Sequence, residues 1–331
     1  MVFIVGFYSL AGGVQRTSLV LATAWLLSRR YNLRVGLADF DFEASTLFLY
    51  TGEPLSLLED YLGRRRDDAF TLMMWPRKDR LVKSIVDVEI NDLTLKLLPT
   101  YPLVEVVDKV TYNWASSFRV RQQYLYWFRK LIEMMAGEFN LDLVIIDTRS
   151  GLTLVTQDLL LAVDSVFVVS RSDLMGLRRT ILGLAELYRG LPDEVIELET
   201  ARGYGERSAR DFFSDKPWYL AITHIPVNGG GNVQKELEER LRGIRRKLLE
   251  SIEYKGLPFP PATLLIPLAL VPYVEGLDKL SSMTIKDFLV ELDRKLGNGD
   301  GLSVVEREYI KAIGLIAERL NEDYRRTRHS S

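Results

Sequence analysis

The sequence contains no cysteine and only two histidines, His224 and His329. The first absence removes disulfides, thiolate metal sites and thiol nucleophiles, and it favours a reducing, intracellular setting. The second leaves no basis for a zinc centre or for a hydrolase built around an imidazole base. Long apolar runs are missing too: none reaches the roughly 18 residues that would span a bilayer. The N-terminus enters a strand-like run with no basic region or cleavage site ahead of it. A cytoplasmic, soluble protein is the expectation. Charge of one sign is also lacking, since Lys and Arg number 43 against 45 Asp and Glu. No global field therefore selects nucleic acid, although local basic patches remain open.

What is there is a globular balance, 47% hydrophobic and 27% charged over 331 residues, enough for one large core. VFIVGFYS (2–9) reads as a fully buried strand, TSLVLATAWLLSRRY (17–31) has helical apolar spacing, and NLRVGLADFD (32–41) returns to a strand. The alternation recurs with strands at 93–100, 141–148, 164–170, 218–225 and 263–273 and helices at 119–139, 172–190 and 234–252. Strands alternating with helices predict a doubly wound, mostly parallel α/β sheet with helices on both faces. One domain is expected over 1–296, with irregular excursions near 52–92 and 191–217. A linker at GNGDG then leads to an amphipathic helix over 302–326 and a tail over 327–331.

Three stretches carry chemistry. SLAGGVQRTS (9–18) lies at the first strand-to-helix turn, where free backbone N–H groups and the helix dipole converge on anions. DFDFEAST ends the second strand, and IIDTRSGL ends a later one. A plainer reading takes the glycines as turn geometry and the aspartates as strand-end caps.

Together and in this order, the three resemble the motifs of the ParA/MinD-type P-loop ATPases, whose deviant Walker A motif is K-G-G-V-G-K-T-[TS]. The resemblance covers residues 1–285 except for the two excursions. It implies an ATP- and Mg²⁺-dependent dimeric switch that acts on DNA, membrane or a partner protein. By position, Gly12, Gly13, Val14, Gln15, Arg16, Thr17 and Ser18 would cradle phosphate. Thr17, Asp39 and Asp147 would serve the metal ion, and Asp41, with Arg16, would serve catalysis. Thr223 falls where the family has a base-reading asparagine, and Pro272 and Tyr273 match its Pro-Tyr loop beside the base.

Four positions depart from the family motif. Leu10 replaces the first glycine of the general P-loop, Ala11 the signature lysine, Gln15 the second glycine and Arg16 the phosphate lysine. A guanidinium is planar and needs more room than an ammonium. A β-carbon at position 15 strains a turn that glycine enters freely. Loss of the signature lysine removes charge stabilisation of the arginine-finger kind, unless Arg149 or Arg178 replaces it.

The expectation is a regulatory or scaffolding switch with weak or absent nucleotide binding, a protein partner and a possible homodimer. The alternatives are an active Mg-ATP-hydrolysing dimer and a partition-type DNA-binding protein. The basic stretch at 239–250 is interspersed with glutamate, so DNA is not favoured, and the acidic residues of the last helix argue against a membrane. His224 is given no role. The aromatic cluster of Tyr112, Trp114, Phe118, Tyr124, Tyr126, Trp127 and Phe128 reads as a core layer or as a partner surface.

Overall fold

In the computed structural model, the described residues are 2–41, 46–49, 59–61, 66–101, 117–191, 195–200, 203–226, 267–274, 284–297 and 302–330, with single positions 51, 63, 235, 239, 242, 243 and 246. Strand β1 (Phe3–Tyr8) leads through a glycine turn into α1 (Arg16–Tyr31) and then β2 (Val35–Phe40). After α2 (Thr46–Leu49), α3 (Ala69–Met74) and α4 (Lys78–Ser84) come β3 (Val86–Ile90) and β4 (Leu93–Leu98). The middle of the chain forms α5 (Phe118–Phe139), β5 (Leu143–Thr148), α6 (Leu154–Ala162), β6 (Ser165–Arg171) and α7 (Leu174–Arg189). A hairpin of β7 (Val195–Thr200) and β8 (Gly203–Ser208) precedes α8 (Ala209–Asp215) and β9 (Trp218–Ile225). The described chain finishes with β10 (Ala269–Pro272), α9 (Ile285–Gly297) and α10 (Val304–Ser330).

Among the described residues, eight strands form one sheet in the order β10-β9-β6-β1-β5-β2-β4-β3. Every pairing in it is parallel except β3 with β4. The central strands are buried on both faces, which is why β1 and the bodies of β5 (LVII) and β6 (VFVV) read as apolar runs. Within β1, Phe3, Val5 and Phe7 join the core beneath α1, α9 and α10, while Ile4 and Tyr8 join the core beneath α3, α5, α6, α7 and α8. Helices thus cover both faces, as the alternation in the sequence predicts.

Helix α1 is buried along most of its length, from Arg16 and Ser18 through Ser28, because it is sandwiched between the sheet and α10. It ends at Asn32, which adopts φ 54° and donates its backbone N–H to the Leu27 carbonyl. Helix α10 is pinned by Tyr219, which donates to Asp323 at 2.7 Å, and by Tyr324, which donates to Asp142 at 3.1 Å. It runs to Ser330, so residues 327–330, expected as a tail, continue its last turns.

The described parts of the excursions hold more regular structure than their sequences suggest. Residues 69–90 hold two short helices and an antiparallel edge strand, and residues 195–215 hold the β7–β8 hairpin and α8. The last strand is shorter than the stretch 263–273, beginning at Ala269; 263–266 lie outside the described residues, as do most of the expected helix at 234–252 and the GNGDG linker. Tyr112 and Trp114 also lie outside them. Tyr124 and Phe128 are core residues, with Phe128 edge-on to Phe40 at 5.1 Å, whereas Tyr126 is exposed. Among the described residues, no helix is long and apolar enough to cross a membrane.

Candidate functional site

Parallel strands deliver their C-terminal ends to one edge of the sheet, and a ligand cleft opens where neighbouring strands connect in opposite directions. Here β1 sits between β5 and β6, and β5 lies between β1 and β2. The ends of β1, β2 and β5 therefore bring Ser9, Asp39, Asp41, Asp147 and Thr148 around the start of α1.

The turn into α1 keeps the outline of an anion site. Gly12 and Gly13 are exposed, Gly13 adopts φ 68°, and a side chain at either glycine would meet nothing within 4 Å among the described residues. The side chain at the N-cap makes no capping hydrogen bond, and the first turn holds no acidic residue. Gln15 stands at the N-cap with φ 61° and ψ 24°, the left-handed conformation that costs a residue with a β-carbon about 1 to 2 kcal/mol. Its side-chain oxygen is buried without a hydrogen-bond partner among the described residues. Val14 points into the core beneath α1, and Ser18 is buried within α1.

Arg16 does not face that turn. Its side chain is 7% exposed and lies beneath the loop, between two carboxylates. Nε donates to Asp147 Oδ1 at 2.5 Å, Nη2 to Asp41 Oδ2 at 2.8 Å and Nη1 to Ser9 Oγ at 3.1 Å. Thr17 Oγ1 donates to Asp147 Oδ2 at 2.6 Å, so both oxygens of Asp147 are engaged by α1. Charge-assisted bonds of this geometry, shielded from water, are among the strongest a protein makes.

Asp39 stands directly across from Asp147 in the β2–β5 register. Its Oδ1 accepts the backbone N–H of Asp41 at 2.9 Å, and its backbone carbonyl accepts from the Thr100 hydroxyl. Its Oδ2 is buried with no hydrogen-bond partner among the described residues. Burial, reinforced by the charge on Asp147, holds the Asp39 carboxyl well above the usual carboxylate range. Burial also raises Asp147, against the pull of Arg16 beside it.

These contacts test the donor set against the Mg²⁺ ion that the resemblance implies. Mg²⁺ demands a near-octahedral shell of oxygen lone pairs. In this structure the Thr17 hydroxyl and the facing oxygens of Asp41 and Asp147 are spent on hydrogen bonds within the protein, and a guanidinium stands between the carboxylates. As arranged, the residues do not fit a divalent cation.

The residues expected beside a base lie at the ends of β9 and β10. Thr223 is fully buried, and its hydroxyl donates to the Val14 carbonyl at 3.0 Å, so it props the loop from below. Pro272 closes β10, and Tyr273 is exposed, its ring stacked on His224 with centroids 6.0 Å apart. Arg149 is half-buried in the segment after β5, and Arg178 lies on the exposed face of α7.

Three residues to which the motifs assigned no role shape the site. Ser9 accepts from Arg16. Tyr8 donates to the Gly151 carbonyl at 3.2 Å, tying the β1 loop to the segment after β5. Gly183 on α7 leaves the notch that receives Leu10. Ser9 was legible as the residue that follows the first strand, whereas the pairing of Leu10 with Gly183 had no signal in sequence.

No family model and no curated protein matches the chain. Solved structures do. The chain is similar to pnob8 ParA, with 15% identity, a TM-score of 0.61, and 98% of this chain and 100% of that one covered. It is similar to the MinC:MinD cell division protein complex of Aquifex aeolicus, at 14% identity and a TM-score of 0.57, covering 97% of this chain and 96% of that one. It is also similar to the septum site-determining protein MinD of Pyrococcus horikoshii complexed with Mg-ADP, at 15% identity and a TM-score of 0.54, with 97% of each chain covered. At such identities it is the architecture that is shared, and this chain has the fold of the ParA/MinD-type P-loop ATPases.

Proposed function

We propose that the protein is a regulatory or scaffolding switch of the ParA/MinD kind that binds nucleotide weakly or not at all. It acts in the cytoplasm through contacts with a protein partner, with a homodimer as its working form. The observation that carries this reading is the inward seat of Arg16. The one cation that the loop supplies for phosphate is neutralised by Asp41 and Asp147 and has little access to solvent. A triphosphate arriving at Gly12 and Gly13 would meet backbone dipoles without a lysine, and extracting Arg16 would leave buried carboxylates unpaired, a cost of about 3 to 5 kcal/mol. The similar MinC:MinD structure is a complex of two proteins, which fits a partner-directed role here.

A second reading, an active dimeric Mg-ATPase, draws on the exposed glycine turn and on Thr17 beside Asp147. Nucleotide would then have to pull Arg16 out toward phosphate. Titration calorimetry with Mg-ATP on the full-length chain separates the two. No saturable heat at millimolar nucleotide is the result expected, and saturable binding accompanied by phosphate release would establish the ATPase.

A further inference from the structure

We infer that Arg16 is the resident cation of this site: its guanidinium stands in for a divalent metal ion, and Asp39, Asp41, Asp147 and Thr17 form a latent cation site that the chain fills with its own side chain. The inference deepens the proposed function, on which it rests, because it explains how the loop stays assembled with no metal or nucleotide to organise it.

The physical case begins with the charge count. Asp39 and Asp147 are fully buried and adjacent in register, and Asp41 is nearly as buried at the end of the same strand as Asp39. Such a cluster stays folded only if protons or a cation offset its mutual repulsion. Asp39 Oδ1 is engaged by the backbone N–H of Asp41 at 2.9 Å. Asp41 and Asp147 share one guanidinium through separate nitrogens at 2.8 and 2.5 Å. A planar fork with several N–H donors can hold two carboxylates and the Ser9 hydroxyl at once, which an ammonium on a flexible stem does less rigidly.

The second observation is the unspent oxygen. Asp39 Oδ2 is buried and lacks a hydrogen-bond partner among the described residues. A buried acceptor left in this way costs free energy. Across the register from it, the carboxylate oxygens of Asp147 are held by Arg16 and Thr17, both on α1. The arrangement is therefore an oxygen-lined cation site with one oxygen to spare and an organic cation at its centre. Emptying that centre should expose it to a metal ion.

The test uses the full-length protein and Mn²⁺ alone, read by electron paramagnetic resonance and by thermal unfolding. The wild type is expected to leave Mn²⁺ free and to melt at the same temperature with metal or with chelator. Arg16→Ala is expected to take up about one Mn²⁺ per chain. It should melt lower than wild type in chelator and recover with Mn²⁺, or with free guanidinium at matched ionic strength. Arg16→Ala/Asp147→Asn should lose that uptake.

If Arg16→Ala is unfolded in chelator, folding on addition of Mn²⁺ or guanidinium supports the inference just as directly. The inference is overturned by Mn²⁺ bound to wild type and lost in Asp147→Asn. It is equally overturned by an Arg16→Ala protein that neither binds Mn²⁺ nor responds to either cation, folded or not. Nucleotide is absent throughout, so failure here is distinct from failure of the proposed function.

Discussion

Leu10 occupies the space that a side chain on Gly183 would fill: a β-carbon there would lie 2.4 Å from Leu10 Cδ1. A bulky residue at the loop's first glycine position is thus matched by the lack of a side chain on α7. Gly183→Ala should destabilise by about 1 to 3 kcal/mol through overpacking. Leu10→Ala should cost less, since Leu10 is only partly buried, and the double variant should recover much of the Gly183→Ala loss. Urea unfolding of the four proteins of the cycle measures this; additive costs would show that the two residues are not coupled.

Gln15 holds a left-handed backbone and buries an amide oxygen with no partner among the described residues. Gln15→Gly should therefore stabilise the fold by about 1 kcal/mol, against the usual direction for a glycine substitution. A lower urea midpoint for Gln15→Gly would mean that the side chain makes a contact worth more than the strain.

Lys216 caps the end of α6. Its buried Nζ donates to the carbonyls of Leu160, Leu161 and Val163 at 2.6, 2.7 and 2.8 Å. Lys216→Met keeps most of the volume but leaves those acceptors unmatched, so a loss of about 2 to 4 kcal/mol is expected by chemical denaturation. A change within about 0.5 kcal/mol would mean that water replaces the ammonium.

Two carboxylates give opposite pH dependence. Burial raises Asp68, the N-cap of α3, from 3.8 to about 6. The unfolded chain gives up that proton first, so stability falls as pH rises from about 4 to 6 and then levels. Glu306 is lowered from 4.5 to about 2, chiefly by its hydrogen bond from Lys295. It contributes stability above its unfolded value, and this is lost as pH falls from 4.5 toward 2. Asp68→Asn should flatten the first slope and Glu306→Gln the second in denaturation midpoints measured across pH.

The parts of the fold legible in sequence were those whose burial is uniform. β1 and the bodies of β5 and β6 are apolar because both faces are covered, and α7 shows its helical period because only one face is buried. The β3 strand escaped notice because VDVEI lies at a sheet edge with residues exposed, and α3 and α4 are too short to show a period. At the site, sequence placed the glycine turn and the three aspartates near the start of α1, since strand ends are easily located. It could not give the direction of Arg16, because that depends on β5 lying between β1 and β2. Thr223 likewise aligned with a base-reading position, yet its hydroxyl meets Val14, a contact set by how β9 approaches the loop.

The central claim is that the Arg16 guanidinium is committed to Asp41 and Asp147. Its Nε–H resonance, followed by NMR in protein labelled with ¹⁵N-arginine and assigned through Arg16→Lys, tests this most directly. The account predicts a solvent-protected resonance that is unmoved by millimolar Mg-ATP and loses its protection in Asp147→Asn. A rapidly exchanging resonance, or one that shifts as Mg-ATP is added, would contradict it.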